Sequence, residues 1–136
     1  MPKSTPRYKS ADEAEVVYYE AFRHCDVDVM ASVWAEQGAL CVHPGSGPIV
    51  GNAAVRRSWQ HIFSNVLSPD LSYTVLSRAV SDELAVHVVR EELRVDANSV
   101  VLVLATNVYR KFSGGWQMIE HHASLLPVRS EGQTLQ

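Results

Sequence analysis

The alternation of apolar and polar positions along this chain changes period about halfway. From Ser10 onward Ala14, Val17, Tyr18, Ala21, Phe22 and Cys25 recur at helical spacing. Ser10 followed three residues later by Glu13 is a capping box, so the pattern predicts a first helix there. Asp26 is placed to cap a second, shorter helix, in which Val29, Met30, Val33 and Trp34 share a face before Gly38 stops it. The run ALCVH, residues 39–43, reads as a short strand. Asn52 is then a candidate cap for a third helix with Val55, Trp59, Ile62, Phe63 and Val66 on one side.

Beyond Pro69 the helical period is lost. Long segments rich in Val, Leu and Tyr are separated by Ser81-Asp82, by DANS at 96–99 and by SGG at 113–115, which predicts hairpins in an antiparallel meander. The fold class that follows is α+β: three N-terminal helices with a short strand among them, then about four long strands. Within the segment 99–112, Val100, Leu102, Leu104, Val108 and Phe112 point one way, while Val101, Val103 and Ala105 point the other. Helices can cover one apolar face. The other is expected to be hidden against a second copy, giving a homodimer through the sheet face.

Composition narrows this picture without redirecting it. At 136 residues, with 46% hydrophobic and 20% charged residues and a formal charge of -3, the chain suits one compact domain and offers no basic face for nucleic acid. No apolar stretch approaches the roughly 20 residues that span a bilayer, and the N-terminal MPKSTPRYKS has no apolar core of the secretory kind, so a cytoplasmic, membrane-free protein is expected. Cys25 and Cys41 cannot make a disulfide framework and read as buried thiols. Residues 1–9 are expected to be a flexible arm, 10–127 the single domain, and 128–136 a flexible tail.

Gly45, Gly47 and Gly51 lie between a strand and a helix, where a phosphate-binding loop would be. A dinucleotide unit also needs a following parallel strand that ends in an acidic residue, yet Asp70 precedes its strand and the later connections are short turns. No Gly-Lys-Ser/Thr follows either. The loop is better explained as a turn shaped by Pro44, Pro48 and its glycines.

Several segments, taken in order, carry a family likeness: Trp34, CVHPG at 41–45, Gly51, SWQHIF at 58–63, ATNVYRKF at 105–112 and GWQMIEHHAS at 115–124. Together they resemble the SnoaL-like branch of the nuclear-transport-factor-2-like superfamily. The likeness is strongest to bacterial single-domain proteins related to the calcium/calmodulin-dependent kinase II association domain. The resemblance implies a cystatin-like cone, in which a strongly curved antiparallel sheet wraps a helix, leaves a pocket at its open end, and dimerises through the sheet. Relatives of this shape range from isomerases, dehydratases and cyclases to pure association modules, so the fold alone does not fix the function.

Hairpin arithmetic supplies candidate pocket residues. A two- or four-residue turn at SGGW puts Asn107 and Tyr109 on the face of Glu120 and His122, whereas a three-residue turn puts His121 beside Asn107. A four-residue DANS loop adds Arg90 and Glu92 to that face, while Glu91 and Glu92 also read as solvated strand charges. A purely structural account pairs Arg90 with Glu120 and leaves Asn107 and His122 as satisfied core groups. The functional account has His43, His122 and Asn107 as the catalytic groups, with Trp34, Trp59, Arg90, Tyr109 and Glu120 binding the substrate. Such a set suits cofactor-free acid-base chemistry on a small carbonyl or ring compound. A pocket carboxylate, which isomerases and cyclases of the superfamily typically use, does not align. His43, His61, His87, His121 and His122 form no ligand motif, and adjacent histidines on a strand diverge, so no metal is expected. The rival expectation is a non-catalytic association module.

Overall fold

The Ser10 hydroxyl accepts from the Glu13 amide at 3.0 Å, and α1 (Ala11–His24) starts there in the computed structural model, which describes residues 8–66 and 68–127. The helix stops at Cys25, whose left-handed backbone (φ 50°) lets its amide reach the Ala21 and Phe22 carbonyls. Asp26 caps α2 (Val27–Val33) through the Val29 amide, as its position predicts. The third helix, α3 (Asn52–Asn65), departs from expectation at its first residue. Gly51 at φ 96° is the N-cap, and Asn52 instead donates its side-chain amide to the Ala35 carbonyl, fastening the helix start to the end of α2.

The strands are β1 (Leu40–Val42), β2 (Ile49–Val50), β3 (Asp70–Val80), β4 (Leu84–Asp96), β5 (Ser99–Phe112) and β6 (Gly115–Leu125). They form one sheet in the order β2-β1-β6-β5-β4-β3. From β3 to β6 it is the expected meander, whereas β1 runs parallel to β6 and seats Cys41 beside His121. Each long ladder carries one β-bulge: Leu76 is the extra residue in β3, Val95 in β4 and Ile119 in β6. Bulges bend and twist the strands that carry them, and here they accompany a sheet curved around the helices.

One face of the sheet is packed. Ala85, Val89, Tyr109 and Met118 join Tyr18, Tyr19, Trp34, Val55 and Trp59 from the helical side in one buried core, with Val103, Ala105 and Ala123 in a smaller cluster. On the outer face Val86, Val88, Leu102, Leu104 and Val108 are only half-buried. Tyr8, assigned to the N-terminal arm by its sequence context, belongs to the core. It is 8% exposed, hydrogen-bonds Ser32 Oγ at 2.6 Å, and its carbonyl accepts from the Trp116 amide. The expectations for residues 1–7 and 128–136 lie outside the described residues.

Candidate functional site

The bulges decide which polar side chains enter the core. The β5–β6 turn is the two-residue Ser113-Gly114, which taken alone would pair Asn107 with Glu120. The extra Ile119 shifts the ladder by one, so Asn107 faces His121 and Thr106 faces His122. His121 is therefore buried on the inner face, and His122 is exposed on the outer one. Val95 has the same effect on the β4–β5 ladder: His87 opposes Asn107 and Glu91 opposes Val103, while Arg90 and Glu92 turn outward and are exposed. Glu120 opposes Val108 on the outer side and is half-buried.

Of the eight residues that sequence reasoning nominated, Asn107, Trp59 and His43 come together, and Tyr109 lies nearby in a separate cluster. Arg90, Glu120 and His122 do not join them, and no Arg90–Glu120 ion pair forms among the described residues. Trp34 is core, bridged to Met118 by a parallel backbone contact. Three groups were missed. Tyr19 and Glu15 lie one turn apart on α1, and Glu91, expected to be solvated, is 2% exposed. A carboxylate sharing the parity of the apolar Val89 and Leu93 on β4 was the available signal for Glu91.

The inner polar groups form two hydrogen-bonded sets. In the first, His121 Nδ1 meets Asn107 Oδ1 at 2.6 Å, Asn107 Nδ2 donates to the Tyr19 hydroxyl at 2.9 Å, and Tyr19 donates to Glu91 Oε2 at 2.7 Å. In the second, Glu15 Oε2 accepts from the Tyr109 hydroxyl at 2.9 Å and lies 3.0 Å from His87 Nδ1. Tyr19 also stacks on Tyr73 at 4.0 Å between ring centroids.

Aromatic rings surround the His121 end of the first set. Tyr18 lies 5.3 Å and Trp59 6.2 Å from the imidazole by ring centroids, and His43 meets Trp59 edge-on at 4.9 Å. Ser58 Oγ uses its own proton on the Val55 carbonyl, so it accepts from His43 Nε2 at 3.0 Å and fixes that ring as the Nε2–H tautomer. The Tyr18 hydroxyl and the Trp59 indole N–H are buried with no acceptor among the described residues. Trp34 Nε1 and His87 Nε2 are likewise buried without a hydrogen-bond partner among the described residues. Buried polar atoms are nearly always bonded, so all four are candidate places for a further group.

Burial sets the ionisation here. It pushes the Glu91 carboxyl up to about 7, an effect opposed by the Tyr19 hydrogen bond and reinforced by Glu15. Burial, with the neighbouring His43 and His122, pushes His121 down to about 3, and burial also lowers His43. The imidazoles are thus neutral near pH 7 while Glu91 exchanges its proton there. Burial raises the Cys41 thiol to about 12, which removes it as a nucleophile. Among the described residues no group of three or more His, Cys, Asp or Glu side chains is placed to hold a metal ion, and no helix is long and apolar enough to cross a membrane.

A curved six-stranded sheet around three helices, with a polar set on its inner face, defines an α+β protein of cystatin-like, nuclear-transport-factor-2-like architecture. The SnoaL-like domain model matches residues 13–129, and the chain belongs to that family. A solved structure from Thiobacillus denitrificans, provisionally described as a calcium/calmodulin-dependent protein kinase type II association domain, is 32% identical. The match covers 90% of this chain and 99% of that one, with a TM-score of 0.84. A Streptomyces avermitilis protein, provisionally described as a dehydratase of the NTF2-like family, is 27% identical, with 85% and 93% covered and a TM-score of 0.73. The F-box protein SKIP8 of Arabidopsis thaliana is 27% identical over 111 residues, or 80% of this chain. The chain spans 46% of the length of that curated relative.

Proposed function

We propose that the inner face of the sheet binds a small, largely apolar molecule by its polar end and carries out cofactor-free proton transfer on it, with Glu91 as the acid-base group. The observation that carries this reading is a buried carboxylate titrating near neutrality, fixed by Tyr19, on the same inner face as the unbonded donors of Tyr18 and Trp59. A base suited to neutral pH needs a pKa near 7, which an exposed glutamate does not have. Glu91 takes a proton from a carbon next to a carbonyl and returns it to another position. Tyr18 and Trp59 hydrogen-bond the polar end of the molecule. His43, Asn107 and His121 orient the molecule. Two copies of the chain join through the outer sheet face, and this reading rests on the half-buried Val86, Val88, Leu104 and Val108.

Native mass spectrometry of the purified protein tests this reading. A small molecule carried by the wild type and lost from Glu91→Gln and Asn107→Leu variants that remain folded is the expected result. A bare protein in every case, with no ligand found by screening small ring ketones, would favour a non-catalytic association module.

A further inference from the structure

The polar set on the inner face has a fixed direction, and that direction dictates what can bind at its far end. An ionised Glu91 can only accept, so the single Tyr19 proton points at Glu91 Oε2. The Tyr19 oxygen then accepts from Asn107 Nδ2, which turns Asn107 Oδ1 toward His121. An amide oxygen cannot donate. His121 must therefore carry its proton on Nδ1, and as a neutral ring it presents a bare Nε2, which has no partner among the described residues.

The rings of Tyr18 and Trp59 lie 5.3 and 6.2 Å from the imidazole by centroids, and each carries a donor, the Tyr18 hydroxyl and the Trp59 N–H, with no acceptor among the described residues. The buried charged and polar side chains are Glu15, His87, Glu91, Asn107 and His121, with no buried lysine or arginine among the described residues. A carboxylate placed here would meet a lone pair, with no buried cation among the described residues to balance it. A neutral O–H that reaches all three groups satisfies them, giving its proton to His121 Nε2 while its oxygen accepts from both Tyr18 and Trp59.

We propose that the site selects ligands whose buried end is a neutral hydroxyl, an alcohol or phenol, and rejects carboxylates, with Tyr19 and Asn107 as positioning residues that hold His121 as an acceptor. The inference deepens the function proposed above and rests on the inner face being a ligand site. Nitrogen-15 NMR of the histidine rings at about pH 8, where Glu91 is ionised, reads the first half without any ligand. His121 is expected as the Nδ1–H tautomer in the wild type and as a mixture in Tyr19→Phe. An Nε2–H tautomer in the wild type, or an unchanged tautomer in Tyr19→Phe, overturns the directional chain.

Phenol and benzoate, a pair matched in ring size, read the second half. Phenol stays neutral at that pH and is expected to shift the His121 and Trp59 resonances, with benzoate about tenfold or more weaker. Benzoate binding as well as phenol overturns the selectivity while the ligand site stands. Binding of neither removes the ligand site itself, and the inference with it.

Discussion

Glu91 and His121 end the same hydrogen-bonded chain, and burial moves them in opposite directions, Glu91 up to about 7 and His121 down to about 3. Their effects on folding therefore oppose each other. A carboxyl whose folded pKa is raised contributes stability that is present below its unfolded value of 4.5 and lost as pH rises through about 7. A histidine whose folded pKa is depressed contributes stability that is present above its unfolded value of 6.5 and lost as pH falls toward about 3. Between these unfolded values the two slopes have opposite sign, so their contributions to the wild-type profile largely cancel there. Urea unfolding across that range is expected to show stability rising with pH in Glu91→Gln and falling with pH in His121→Gln. Each change is on the order of 2–3 kcal/mol. Parallel profiles for the two variants would mean that the shifts are not those of these residues.

Between elements, the outcome turns on three extra residues. Helix positions, β1 and the hairpins of the long strands were legible in the sequence, because capping residues and periodicity are local signals, whereas the two-residue β2 lay within what reads as a turn. Which polar residues face inward was not legible. A bulge at Val95 exchanges Glu91 for Arg90 and Glu92, and a bulge at Ile119 exchanges His121 for His122, although both turns have the parity that their sequences suggest. Nothing in the spacing of Val, Leu and Ile marks a bulged residue, since curvature is imposed by packing the sheet around the helices. Glu15 and Tyr19 escaped notice for a related reason: on an amphipathic helix they read as one polar and one core position until the strand opposite them is known. Deleting Ile119 is expected to remove the bulge while leaving His121 opposite Asn107, because the pairs on either side stay in step. The cost should be about 1–3 kcal/mol, and an NMR contact between the two side chains should persist. Loss of that contact in a folded variant would show that the bulge does more than set register.

For the molecule as a whole, the two faces of the sheet do different work. The inner face packs against the helices and carries the polar groups, whereas the outer face leaves a half-buried apolar stripe of Val86, Val88, Leu102, Leu104 and Val108. Leu104→Glu places a charge in that stripe without touching the inner chain. Analytical ultracentrifugation is expected to find a dimer in the wild type and a monomer in the variant, with unfolding of the monomeric unit changed by about 0.5 kcal/mol or less, as for most surface substitutions. A wild-type monomer at micromolar concentration would instead leave this face to another partner.

The parallel pairing of β1 with β6 carries a consequence for how the chain reaches this state. The four long strands fold back on immediate neighbours, so their ladders close over short loops, whereas β1 must wait for a strand from the far end of the domain. That late contact is the one that brings Cys41 alongside His121 and carries the chain on to His43 and its ring contact with Trp59. A folding intermediate with the meander formed and β1 undocked would already hold the Glu91 chain but lack one wall around it. Pulse-labelling hydrogen exchange during refolding should accordingly protect the β4–β5 amides before those of Cys41 and Val42, so that the wall beside His121 is the last part of the inner face to form.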